Sequence, residues 1–268
     1  MKGLREALIA AGVLAGLGAC GNTGGQLIAP PFQVGGVQRD VSQPFVFTSA
    51  LGWTVTLDKA LAVLGPFYFN IDPPPTDAFR GGVVILQATD QVVVDCLDPT
   101  LQVIDGGADG ESGVAVSVEI GLYTASSGYN DVLPLSPPLS AAGEQGTAYI
   151  AGTAVQNGTT IPFAGLAVID GSLLTSTTFI NDLARVRGAV CNLNLSNSTD
   201  VVALRVDPTH WFDQTDFCSL VPASDGGLCN PVDAGVPFSW RSSDVFNIEL
   251  LGGLKDAQSV YDFELVHP

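Results

Sequence analysis

The stretch TAYIAGTAVQNGTTIPFAGLAVI, residues 147–169, reads as one β-hairpin. Strand-forming runs fill 147–156 and 159–169, and Asn157-Gly158 stands between them. A two-residue hairpin loop needs positive φ at both central positions, which Asn and Gly supply at little steric cost. Runs of the same kind lie on either side. Upstream, a strand starts at Pro44 (PFVFTSA), and 53–58 (WTVTLD) alternates polar with apolar residues. Residues 60–70 (ALAVLGPFYFN) are more apolar and are broken by Gly65-Pro66 into two short strands or a bulge. After the stiff run Pro73-Pro74-Pro75, residues 82–97 (GVVILQATDQVVVDCL) and 114–124 (VAVSVEIGLYT) carry strong strand signals, and 134–146 are loop. Downstream, 185–195 and 200–207 are further strands, with 238–240 and 260–266 as a last pair.

Two stretches admit a helix. Ser176 is placed to cap a short one carrying Phe179, Leu183 and Val186 on one face. Residues 244–251 (DVFNIELL) alternate well enough for a strand, yet follow a Ser-Ser-Asp cap signal; both readings stay open. About ten to twelve short strands with frequent turns fit an all-β fold, an antiparallel β-sandwich with an open β-barrel as the alternative. No repeat of solenoid or propeller period is present, and no second boundary divides residues 44–268, which read as a single β-rich domain.

Composition points the same way. Gly and Pro number 31 and 17 while charged residues make up only 14%, which favours turns over long amphipathic helices. Lys and Arg number 10 against 27 Asp and Glu, a net charge of −17. Phosphate binding needs clustered Lys and Arg, so a nucleic-acid partner is excluded. An acidic chain of this kind favours solubility and loose cation binding at its surface.

The N-terminus has the layout of an export signal. Lys2 and Arg5 give a positive start, residues 8–17 (LIAAGVLAGL) form an apolar run too short to span a bilayer, and Leu17-Gly18-Ala19-Cys20 closes it. These twenty residues resemble the signal and lipobox of bacterial lipoproteins. The resemblance implies cleavage before Cys20, making 1–19 a signal peptide, and a diacylglycerol thioether on Cys20 with a palmitate-type chain on its amine. Two buried chains give stable anchoring, at roughly 0.8 kcal/mol per methylene. It also implies a cell-envelope location, with Gly21 rather than Asp after the cysteine leaning toward the outer membrane, on its periplasmic face or at the surface. Residues 20–43, rich in Gly, Pro and Gln and without periodicity, read as a lipidated flexible tether.

Four further cysteines remain: Cys96, Cys191, Cys218 and Cys229. An even number in an exported chain without CxxC spacing points to disulfides rather than a zinc cluster. Cys218 and Cys229 flank a loop-like SLVPASDGGL, and Cys96 and Cys191 each fall on the apolar face of a strand. The expected pairs are 96–191, as an inter-sheet bridge, and 218–229.

Few residues suggest chemistry. His267 stands next to the chain end; His210 lies within Asp207-Pro-Thr-His-Trp211-Phe212-Asp213, with Asp216 close by. Asp and His there are candidate metal ligands and Trp211 a stacking wall. The competing reading is structural, with Trp211 and Phe212 plugging the core and the Asp residues capping. Asp105, Asp109 and Glu111 share a Gly-rich loop that suits calcium but lacks the EF-hand spacing. No GxSxG, HExxH, P-loop or SxxK signature occurs, so the chain leans away from an enzyme. The expected function is a membrane-anchored, non-enzymatic binding or interaction module for an envelope protein or extracellular ligand. The alternatives are a structural component of an envelope secretion or transport assembly, and a metal-binding protein or enzyme without a recognisable motif.

Overall fold

The computed structural model describes residues 25–73, 82–122, 137–141, 144–169, 184–221, 229 and 237–266. Its strands, in chain order, are β1 (Leu27–Ile28), β2 (Phe32–Gly36), β3 (Phe45–Thr48), β4 (Thr54–Leu64), β5 (Phe67–Asn70), β6 (Val84–Ala88), β7 (Val92–Asp95), β8 (Gln102–Val103) and β9 (Asp109–Glu111). They continue with β10 (Gly113–Gly121), β11 (Ser140–Ala141), β12 (Glu144–Gln145), β13 (Ala148–Gln156), β14 (Thr159–Ala167), β15 (Arg185–Leu195), β16 (Val201–Val206) and β17 (Tyr261–Val266). Two 3-10 segments (Pro208–Phe212 and Phe217–Leu220) follow β16, and α1 (Val245–Leu254) precedes β17.

The hairpin forms as its sequence dictates. Asn157 and Gly158 have φ of 50° and 82°, and β13 pairs with β14 without interruption from Gln156↔Thr159 to Ala148↔Ala167. Alternation then sends Ala148, Ile150 and Ala154 inward. The same period-two rule buries Cys191, Leu193 and Leu195 of β15, and an irregularity at Gly188 shifts the phase so that Val186 is buried as well.

Three main sheets result. The first runs β1-β9-β6-β5-β10-β15, the second β17-β16-β2-β8, and the third β14-β13-β4-β3 with β7 also on β4. All these strand pairs are antiparallel except β2 with β16. Among the described residues no sheet closes on itself, and the arrangement is sandwich-like rather than a closed barrel. The second sheet packs on the first through rings: Phe32 meets Phe67 edge-on at 4.8 Å between centroids, and Phe69 at 5.7 Å. The third sheet is covered by the 3-10 segments and α1, where Phe217 lies between Trp53 (5.4 Å), Phe163 (5.0 Å) and Phe246 (5.4 Å). Edge-to-face and offset pairs of this kind add to what burial of the rings already contributes. Both aromatic sets belong to one continuous core.

Several expectations are corrected. The stretch 20–43 is not a tether where it is described: β1 joins the first sheet, and β2 lies inside the second with Phe32 and Val34 wholly buried. Its glycines serve close packing rather than flexibility. A Cβ on Gly36 would stand 2.2 Å from the Cys96 carbonyl oxygen, and one on Gly35 2.8 Å from that of Thr100. The run 82–97 is two strands, because β6 belongs to the first sheet and β7 to the third. Residues 238–240 and 260–266 do not pair. Phe238 bridges Phe163, while β17 pairs with β16 along its whole length. Stretch 244–251 proves helical, and the helix expected after Ser176 lies outside the described residues up to Ala184.

The Cys96–Cys191 bridge is also absent. Cys96 follows β7 in the third sheet and its thiol points to the Val94 carbonyl; Cys191 lies in β15 of the first and its thiol points to the Ala115 carbonyl at 3.2 Å. Both are buried free thiols. Cys218 and Cys229 do form a disulfide, with Cα atoms 5.2 Å apart.

Candidate functional site

The His210 segment is built as a capped turn at the end of β16. The Asp207 carboxylate accepts the Thr209 N–H at 2.9 Å, Pro208 opens the 3-10 turn, and the Asp213 N–H donates back to the His210 carbonyl. Trp211 and Phe212 point inward and are wholly buried, and Phe212 stacks on Phe217 at 5.7 Å. Among the described residues, the Trp211 indole N–H has no hydrogen-bond partner. His210 stays at the surface, its Nδ1 2.8 Å from Asp213 Oδ2, with both side chains about two-fifths exposed (40% and 37%). This geometry matches the structural reading of the segment: rings in the core, Asp207 as cap, and a solvated His–Asp pair outside.

The acidic loop is laid out along a strand instead of around a point. Asp105 is exposed in the turn before β9, Asp109 faces Gln87 across β6, and Glu111 faces Leu27 across β1. Among the described residues, no group of three or more His, Cys, Asp or Glu side chains converges as a metal site would. His267 lies outside the described residues.

Polar features that the sequence reading did not single out come from pairing between strands. On the first sheet the register aligns Arg187 with Glu119, Glu119 with Tyr68, Tyr68 with Gln87, and Gln87 with Asp109. None of the five is buried, and Arg185 adds an ion pair to Glu119. The result is a polar row running across β15, β10, β5, β6 and β9. Elsewhere Arg205 of β16 ties its neighbours in the second sheet to the loop before β8, donating to the carbonyls of Gly36 of β2 (3.2 Å) and Pro99 (2.8 Å) and to Glu264 of β17 at 3.3 Å. A lone Arg inside the apolar run VVALRV was the visible signal for it.

Burial pushes the ionisation of two thiols and one phenol upward. Burial, with Asp95 and Asp207 adding to it, pushes the Cys96 thiol well above its ordinary range. Burial raises Cys191 to about 11 despite opposing backbone hydrogen bonds. The Tyr261 hydroxyl is also pushed up by burial, and it donates to the Leu254 carbonyl at 2.8 Å.

Among the described residues, no helix is long and apolar enough to cross a membrane. No protein-family model matches the chain, and no curated protein is similar to it. The solved structure of MbnP from Methylosinus trichosporium is similar at a TM-score of 0.31 and 9% identity, the match covering 79% of this chain and 96% of that one.

Proposed function

We propose that the chain is made as a bacterial lipoprotein precursor and works, anchored through Cys20, as a non-enzymatic interaction module of the cell envelope. The observation that carries this reading is Leu17-Gly18-Ala19-Cys20 closing a short apolar run behind a positive start. The polar row across the first sheet supports the interaction part. It sets charged, aromatic and amide groups side by side on strands whose opposite faces are fixed by the core, and a binding surface needs such positional rigidity. The anchor is tested by growing cells on an alkyne fatty acid. The wild type takes up the label and Cys20→Ser does not; equal labelling of both would remove the reading. Cross-linking in intact cells followed by co-purification then identifies the partner. Charge reversal at Glu119 should weaken its capture while the fold persists.

A further inference from the structure

We infer that the domain sits directly on the membrane, with the β1 end of the first sheet against the lipid surface; this rests on the proposed lipidation of Cys20. The chain is fixed from Gly25 onward. The Ser112 N–H donates to the Gln26 carbonyl at 2.7 Å, the Gln26 N–H donates to Ser112 Oγ at 2.8 Å, and the Ala29 N–H donates to Ser198 Oγ at 2.9 Å. At Gly25 a Cβ would fall 2.4 Å from the Ser112 carbonyl oxygen, so the backbone is tight against β9 and β10 at that point. Only residues 21–24 separate Gly25 from Cys20. Five Cα steps reach at most about 18 Å at full extension. The acylated cysteine lies at headgroup level, so a leash this short leaves no room for the domain to stand away or turn its other end to the bilayer.

The end so presented carries a group of exposed aliphatic side chains. The start of β1, the end of β9, the starts of β6 and β10 and the end of β15 all meet there, as the pairs Leu27↔Glu111, Leu86↔Gly110 and Gly113↔Leu195 require. Leu27 is 79% exposed, and Val83, Val84 and Val114 are exposed around it. Ile71, also exposed, donates its N–H to the Val83 carbonyl at the same end. Exposed aliphatic side chains gathered at the point where an acylated terminus enters fit an interfacial lipid surface. Asp72 and Glu111 stand among them, so the surface that suits this end is zwitterionic rather than anionic.

The test uses the full acylated chain in vesicles of phosphatidylethanolamine and phosphatidylcholine. Spin labels are placed singly at Leu27→Cys, Val84→Cys and Val114→Cys, with Val155→Cys on the third sheet as reference; the native free thiols are buried and do not compete. Collisions with a water-soluble nickel chelate are compared with collisions with oxygen, which partitions into the bilayer. At the first three sites most of the nickel collisions are expected to vanish on reconstitution, while Val155→Cys keeps them. Nickel access at all four sites alike would overturn the inference. So would shielding already present in a soluble, unacylated form, because a second copy would then cover this end. The mass of the N-terminal peptide separates the two levels. A peptide without acyl chains sinks the lipoprotein reading and this inference together, whereas an acylated peptide with freely accessible labels sinks the inference alone.

Discussion

Cys191 carries a pH dependence that follows from its place in β15. In the unfolded chain its thiol ionises near the ordinary value of 9.0, and in the folded chain at about 11. Between those values the folded state keeps a proton that the unfolded state has lost. The contribution is therefore fully present below pH 9 and disappears as pH rises toward 11. One such group is worth roughly 2 to 3 kcal/mol over that window. Urea midpoints measured from pH 8 to pH 11 should fall, and Cys191→Ala should fall less steeply. Identical slopes would mean that burial of this thiol is not the cause. Cys96, raised well above its ordinary range by complete burial, contributes in the same direction. Alternation in the sequence revealed that both cysteines face inward. It could not reveal that each would find a carbonyl instead of the other, because period two fixes a face and says nothing of the partner across it.

At the scale of the element, β2 shows how composition misleads. FQVGG has the look of a loose linker, yet Phe32 and Val34 alternate into the core, and the two glycines admit the turn after β7. Replacing Gly36 by Ala would set a methyl group 2.2 Å from the Cys96 carbonyl oxygen and 2.8 Å from that of Asp98. The expected cost is about 1 to 3 kcal/mol, read as a lower urea midpoint at unchanged slope. A wild-type midpoint in Gly36→Ala would show that the turn moves aside freely. Helix α1 is the converse case. Its alternation suits a strand, but Asn247 decides for the helix: wholly buried, it accepts from the Val168 N–H and donates to the carbonyls of Val168 (2.9 Å) and Ser242 (2.8 Å). Those partners are 79 and 5 residues away, and the distant one is invisible to any local pattern.

At the scale of the whole molecule, the N-terminal segment closes the fold. β2 lies between β16 and β8, and Phe32 reaches Phe67 and Phe69 on the opposing sheet. A chain that starts at Pro44 loses β1, β2 and that contact. Removing one buried Phe side chain alone costs about 3 to 5 kcal/mol, against a total stability of about 5 to 15. The shortened chain should therefore show no cooperative urea transition and should bind a hydrophobic dye. A transition matching that of the longer chain would return residues 25–43 to the role of a tether. The candidate site follows the same division. The sequence brought His210, Trp211, Phe212 and Asp213 together by proximity, but Phe212 is seated inward against the rings of Phe163 and Phe217, which lie on segments far from one another in the chain.

What the amino-acid sequence determined by itself is therefore the local part. It set the Asn157-Gly158 hairpin, most strand positions, the inward face of Cys96 and Cys191, and the 218–229 disulfide across a short loop. These rest on φ preferences, period-two alternation and short loop closure, all of which act within about a dozen residues. The tertiary structure alone decided that β6 and β7 part company, that β17 pairs with β16, that β2 enters parallel to β16, and that Cys96 and Cys191 remain apart. Apolar burial is non-directional, and each inward strand would satisfy it against many partners. The choice among them falls to ring packing, to glycines that allow close approach, and to hydrogen bonds between residues distant in the chain.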